Sequence, residues 1–285
     1  IACGAAEKSK KAVFLIGRTA GEDKDYEDTE GSYLLTKREK ENLRVVTKYF
    51  NEVAVLLNVS NIIDMSWTKD AAYQDHIKAI LYIWQGGMEG ANAVADLLSG
   101  RVTPSGKLTD TIAEKLSDYP AADHFGSKTE NIYAEDIYVG YRYYEKKGIQ
   151  PAYPFGYGLS YTSFEYEHLA VSEENDHTIV TVDVTNTGAV AAKHVVELFI
   201  EPKMKTRLPR PVRELKAFKK IFLQPGEKKQ VCFSLERRDF AYYDPKVKDW
   251  VIENGAYAIE ICHDSMNVAV SAEITKSGEK YLVPL

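Results

Sequence analysis

Apolar and polar positions change rhythm along this chain. In roughly its first third, short continuous apolar runs alternate with stretches where apolar residues recur every three or four positions, the strand and helix periods respectively. The run Ala12-Val13-Phe14-Leu15-Ile16 is short, rich in β-branched and aromatic residues and closed by Gly17, so it predicts a buried strand. Residues 53–59 and 77–84 predict two more. Between the first two, Thr36 and Glu39 have the spacing of a capping box, and Leu43, Val45, Val46 and Tyr49 follow at helical spacing up to Phe50. Strand, helix, strand in that order implies parallel pairing through a right-handed crossover. A second helix is predicted over 89–98, with Ala91, Val94, Ala95 and Leu98 on one face and Gly100 just past its end.

The regularity breaks at Thr103-Pro104-Ser105-Gly106 and stays broken through Tyr119-Pro120 and Gly126, which reads as a long connection laid over the sheet. An aromatic block follows, with Tyr138, Tyr141, Tyr143, Tyr144, Tyr153, Phe155, Tyr157 and Tyr161 close together. Stacked tyrosines can hold a sugar face. They also fill seams between domains, and Pro151, Pro154, Gly156 and Gly158 among them favour the seam. From about His168 the pattern becomes strict alternation in short segments, at 178–184, 195–200, 231–235 and 257–261, separated by Asn186-Thr187-Gly188, Gln224-Pro225-Gly226 and Asn254-Gly255. About seven short strands in such a length signify an antiparallel sandwich of immunoglobulin type. The predicted organisation is an α/β sandwich domain over 1–158, mostly parallel sheet with flanking helices, a linker over 159–167, and an all-β sandwich over 168–285.

Composition narrows the function classes. The 285 residues are 45% hydrophobic, enough for a packed core. A net charge of −6 argues against a nucleic-acid or anionic-membrane partner. No stretch reaches the roughly 20 apolar residues that span a bilayer, and no signal-peptide pattern is present, so a soluble, cytoplasmic chain is favoured. A start at Ile1 leaves compartment and completeness open. Cys3, Cys232 and Cys262 lack close spacing and read as ordinary buried thiols, and the dispersed His177, His194 and His263 suggest no metal site. No cofactor is implied, and homo-oligomerisation stays open.

The candidate chemistry lies in residues 17–25, the loop after the first predicted strand. Loops at the carboxyl ends of strands in open α/β sheets are exposed above a rigid base, which makes Glu22 the candidate catalytic residue. Taken alone, the crowd of Glu22, Asp23, Asp25, Glu27, Asp28 and Glu30 reads rather as a solvated acidic turn. Gly17 and Gly21 form neither a dinucleotide fingerprint nor a phosphate loop, and the acids would repel phosphate. A calcium loop starting at Asp23 lacks glycine at its sixth position and glutamate at its twelfth.

Several blocks together shift the balance: Gly17-Arg18 through Gly21-Glu22, Leu57-Asn58-Val59, Trp84-Gln85-Gly86-Gly87-Met88-Glu89, Pro104-Ser105-Gly106-Lys107-Leu108, Tyr138 through Tyr144, Pro154 through Tyr161, Arg213 through Phe218, and Asn254 through Tyr257. In this order they resemble the non-barrel part of glycoside hydrolase family 3, the β-glucosidase and β-xylosidase family, over nearly the whole chain. The wording is most similar to a subgroup from clostridial and gut anaerobes.

The resemblance implies an α/β sandwich followed by a fibronectin type III-like domain, and a (β/α)8 barrel partner bearing the aspartate nucleophile. That barrel is expected after Leu285 in the parent protein or on a separate chain. Asp64-Met65-Ser66-Trp67 has the wrong arrangement for the nucleophile motif, and 285 residues leave no room for a barrel of about 250. By motif Glu22 is then the acid/base of a retaining exo-acting β-glucosidase that removes terminal β-D-glucosyl residues. Asp25 fixes the loop, and Arg18 either positions it or touches sugar hydroxyls. Here Asp23 stands where the family has a second glycine, and Tyr26 where it often has arginine. The alternative class is a non-catalytic carbohydrate-binding or scaffolding chain.

Overall fold

The computed structural model describes residues 2–19, 27–124 and 126–281. Two compact units emerge, one holding the residues up to Arg101 with the segment from Ile112, the other Val102–Thr111 with the chain from Gly126 onward. In chain order the first contains α1 (Ala2–Ala6), β1 (Lys11–Gly17), α2 (Lys37–Tyr49), β2 (Glu52–Asn58), β3 (Ile77–Tyr82) and α3 (Gly90–Leu98).

Thr36 and Glu39 set the start of α2. The Thr36 hydroxyl accepts the Glu39 backbone N–H at 3.0 Å, and the Glu39 carboxylate accepts the Thr36 N–H at 2.8 Å, the complete capping box that the spacing predicts. The helix then carries the chain from β1 to β2. The sheet runs β1-β2-β3, all parallel, with Lys11 to Gly17 opposite Glu52 to Asn58.

Two expectations need correcting. β1 is an edge strand, and of its residues only Ile16 is buried, while Val13 and Leu15 are 55% and 58% exposed. The sequestered strand is the central β2, where Val53, Val55 and Leu57 have no exposure at all. A five-residue apolar run reads the same at an edge as in the middle, and with order β1-β2-β3 only β2 has a neighbour on both sides among the described residues. α3 forms where predicted, but Ala91, Ala95 and Leu98 of its expected inward face are exposed.

The second unit contains α4 (Tyr141–Lys147), β4 (Phe164–Glu174), β5 (His177–Asn186), β6 (Ala192–Pro202), β7 (Glu214–Leu223), β8 (Lys228–Leu235), α5 (Arg237–Phe240), β9 (Tyr242–Asp244), β10 (Asp249–Ile252), β11 (Gly255–Asp264), β12 (Asn267–Lys276) and β13 (Glu279–Tyr281). Its sandwich faces the sheet β12-β11-β6-β7 with the sheet β4-β5-β8, seven strands as expected, and a small sheet β13-β10-β9 is added that the pattern did not announce. Val180, Val182, Val184, Leu198, Ile200, Tyr257 and Ile259 meet between the sheets. Alternation places Val231 and Phe233 inward and Cys232 outward, so Cys232 is exposed, as is Cys3 on α1; only Cys262 is a buried thiol.

Tyrosines of the aromatic block pack on this sandwich. The Tyr141 ring stacks on Phe155 with centroids 5.0 Å apart, and its hydroxyl accepts the Leu215 N–H at 2.9 Å. Tyr144 is fully buried.

Candidate active site

Parallel strands deliver their carboxyl ends to one edge of a sheet, and the loop after β1 leaves that edge at Gly17. Glu22 and Asp25 lie in residues 20–26, outside the described residues. The anchors on either side of them are described.

On the incoming side the Arg18 backbone N–H donates to the Asn58 carbonyl at 3.0 Å, extending the ladder one residue past β1. The Arg18 guanidinium is then engaged at every nitrogen. Nε donates to the Ser32 carbonyl at 3.1 Å, Nη1 to the Gly17 carbonyl at 2.9 Å, and Nη2 to the Leu34 carbonyl at 3.2 Å. Nη1 and Nη2 also grip Glu39 as a fork, at 2.6 Å to Oε1 and 3.0 Å to Oε2. The side chain is only 5% exposed. Burial pushes the Glu39 carboxyl up, but the hydrogen bonds from Arg18 and the Thr36 backbone outweigh it and hold Glu39 below the usual glutamate range.

On the outgoing side the chain closes a tight turn. The Ser32 hydroxyl accepts the Glu27 N–H at 2.9 Å, the Glu27 carbonyl accepts the N–H of Thr29 at 2.7 Å and of Tyr33 at 3.2 Å, and Glu30 Oε2 accepts the Lys37 N–H at 3.1 Å. Tyr33 and Leu35 are buried beneath it. Arg18 reaches the carbonyls of Ser32 and Leu34, so one side chain ties both ends of the loop together and to the start of α2. The capping box was visible in the sequence. The Arg18–Glu39 fork was not, because a pair 21 positions apart has no periodic signature.

Asp64 closes a local turn: its carboxylate accepts the Ser66 N–H at 3.0 Å and the Ser66 hydroxyl at 2.7 Å, and its carbonyl accepts the indole N–H of the buried Trp67.

A second set of titratable groups, missed in the sequence, lies within the sandwich unit. Lys107 Nζ donates to the carbonyls of Gly158 and His263 at 3.2 and 3.3 Å. Glu197 beside it is 4% exposed, and burial, opposed by Lys107 and helped by Asp264, raises its carboxyl to about 7. A β-carbon on Gly156, whose φ is 83°, would sit 2.3 Å from Glu197 Oε2, so only glycine fits there. Reciprocal bonds of 2.8 Å, from the Leu108 N–H to the Tyr157 carbonyl and from the Gly156 N–H to the Leu108 carbonyl, lock the Pro104 and Pro154 motifs together. His194 and His263 both flank the Tyr166 ring, and His177 contacts Ser234 instead. The Tyr166 hydroxyl lies 2.6 Å from His194 Nε2, and burial, with Lys107 and His263, lowers His194 to about 3. Of these groups Glu197, His194 and Tyr166 are buried and hold packing, while His177 and His263 are exposed.

Comparison with known proteins fits this anatomy. The model of the glycosyl hydrolase family 3 C-terminal domain matches residues 2–161, and that of a fibronectin type III-like domain matches 194–265. A β-glucosidase of Ruminococcus albus is 42% identical over 262 residues, which cover 89% of this chain and 27% of that protein. The solved β-glucosidase of Paenibacillus barengoltzii superposes with a TM-score of 0.87 at 46% identity, over 96% of this chain and 31% of its own. β-Glucosidase 3B of Thermotoga neapolitana, solved in complex with glucose, gives 0.90 at 35% identity over 99% and 40%. The chain thus spans well under half the length of these relatives.

Proposed function

This chain belongs to glycosyl hydrolase family 3, and from that premise we propose that it is part of a retaining, exo-acting β-glucosidase that removes terminal non-reducing β-D-glucosyl residues. In this reading Glu22 is the acid/base, and the nucleophile lies on a (β/α)8 barrel carried elsewhere in the same protein or on a separate chain. The observation that carries the reading is the clamped loop at the carboxyl end of β1: Arg18, forked on Glu39, ties together the two ends of the segment that bears Glu22.

Retaining hydrolysis needs two carboxyl groups about 5–5.5 Å apart. As the barrel carboxylate attacks the anomeric carbon, Glu22 gives its proton to the glycosidic oxygen and the leaving group departs as an alcohol. Glu22, now a carboxylate, takes a proton from water while that water attacks the same carbon, and the barrel carboxylate is released. The first step requires Glu22 protonated near working pH, which a site of low polarity beside a second carboxylate supplies. Arg18 positions the loop through its fork on Glu39, and Asp25 is assigned the same positioning role by its place in the motif.

The test is complementation. This chain alone should not hydrolyse an aryl β-glucoside, and addition of the barrel fragment of its parent protein should restore turnover. Sugar binding that persists while the mixture stays inactive would favour the carbohydrate-binding or scaffolding alternative.

A further inference from the structure

The Trp84 to Glu89 motif has so far been given no task. It begins two residues after β3, at the same carboxyl edge from which the Glu22 loop leaves β1. With strands about 4.8 Å apart, the ends of β1 and β3 are separated by about 10 Å.

Trp84 adopts φ 53°, and among the described residues of this unit it is the one non-glycine side chain in the left-handed region. A bulky aromatic residue is a genuine outlier there, and such outliers collect at ligand sites. Its neighbours hold it in place. The Trp84 and Tyr82 rings are 4.4 Å apart, tilted by 49°. The Tyr82 hydroxyl is itself fixed, accepting the Ile63 N–H at 3.2 Å and donating to the Asn61 carbonyl at 2.8 Å. Beyond Trp84 the chain doubles back so closely that a β-carbon on Gly86 would lie 2.9 Å from Gly90 Cα, and Met88 at the tip is fully exposed. Trp84 stays half-buried.

In a retaining glycosidase the acid/base group works on the leaving-group oxygen, so an acid/base loop that leaves this edge of the sheet would bring the departing portion of the substrate toward it. An indole offers a flat apolar surface suited to an aromatic ring or to the apolar face of a sugar. We propose that Trp84 is a specificity-determining residue that receives the ring of the leaving group. The inference rests on the acid/base reading of Glu22, since that reading fixes which part of the substrate passes this edge.

The discriminating experiment reads the leaving-group site from its other side, by the acceptor that replaces water. In the intact enzyme, with p-nitrophenyl β-glucoside as donor, the ratio of transfer to hydrolysis is measured with benzyl alcohol or glucose as acceptor, and with methanol as a ringless control. Trp84→Asn deletes the indole while Asn tolerates the left-handed backbone, which offsets part of the packing lost from Tyr82. Transfer to the ring acceptors should fall about three- to tenfold relative to methanol, the scale of one aromatic contact. Trp84→Phe should keep most of the selectivity. An unchanged ratio, an equal fall for methanol, or a fall that tracks a lower melting temperature would overturn the proposal. Failure of the Glu22 reading shows separately, as an equal loss in Glu22→Gln across all leaving groups.

Discussion

One carboxylate, that of Glu39, serves two elements: it completes the cap of α2 and receives the fork of Arg18. Its depressed pKa means that its contribution to stability is present above the unfolded glutamate value and is lost as pH falls through the lower folded value. Glu197 behaves in the opposite sense. Unfolded, it titrates near 4.3; folded, burial holds its proton to about 7. Its favourable contribution is therefore full below about 4.3 and is lost as pH rises through 7. Glu260, raised to about 7 by burial against the pull of Arg213, adds a slope of the same sign. Glu197→Gln should flatten its share, leaving the chain more stable than wild type at pH 8 by on the order of 2–3 kcal/mol and nearly equal at pH 4. Urea midpoints across that range check this, and parallel pH profiles for the two proteins would contradict it. Neither Arg18–Glu39 nor Glu197 was legible in advance. Alternation along β6 points Glu197 away from Val196 and Leu198, toward what reads as solvent, but Lys107 and Gly156 cover that face.

At the scale of elements, the sequence pattern located strands and helices well and their burial poorly. Thr36 and Glu39 marked the start of α2, and alternation located β5, β6, β8 and β11 of the sandwich, because capping and period two are local properties. Whether β1 is central depends on strand order, which no local pattern contains. The consequence is measurable. Leu57→Ala, at a fully buried position of the central strand β2, should cost about 2–5 kcal/mol, whereas Leu15→Ala, on the exposed face of β1, should cost under about 1 kcal/mol. Equal losses in chemical denaturation would mean that β1 is covered after all. The short strands β9, β10 and β13 escaped notice for a related reason. With three or four residues each, they are too short for alternation to separate them from loop.

At the scale of the whole molecule, the chain has the α/β and fibronectin-like parts of a family 3 hydrolase but spans only 27% of one curated relative and 31% to 40% of the solved ones. Family membership was legible because many short motifs fall in one order, some tied to a backbone demand such as the Gly156 contact with Glu197. The proposed catalytic division of labour rests on that resemblance alone, since two carboxyls that are to meet across separate domains leave no spacing in either one. The most direct measurement is Glu22→Gln in the intact enzyme, assayed on β-glucosides whose leaving groups span a wide range of acidity. A displaced general acid predicts near-complete loss on poor leaving groups, while activated aryl glucosides still glycosylate the enzyme at close to the wild-type rate, the proton being worth about 10²–10⁴-fold only where it is needed. The same fractional loss on every substrate would show that Glu22 is not the proton donor.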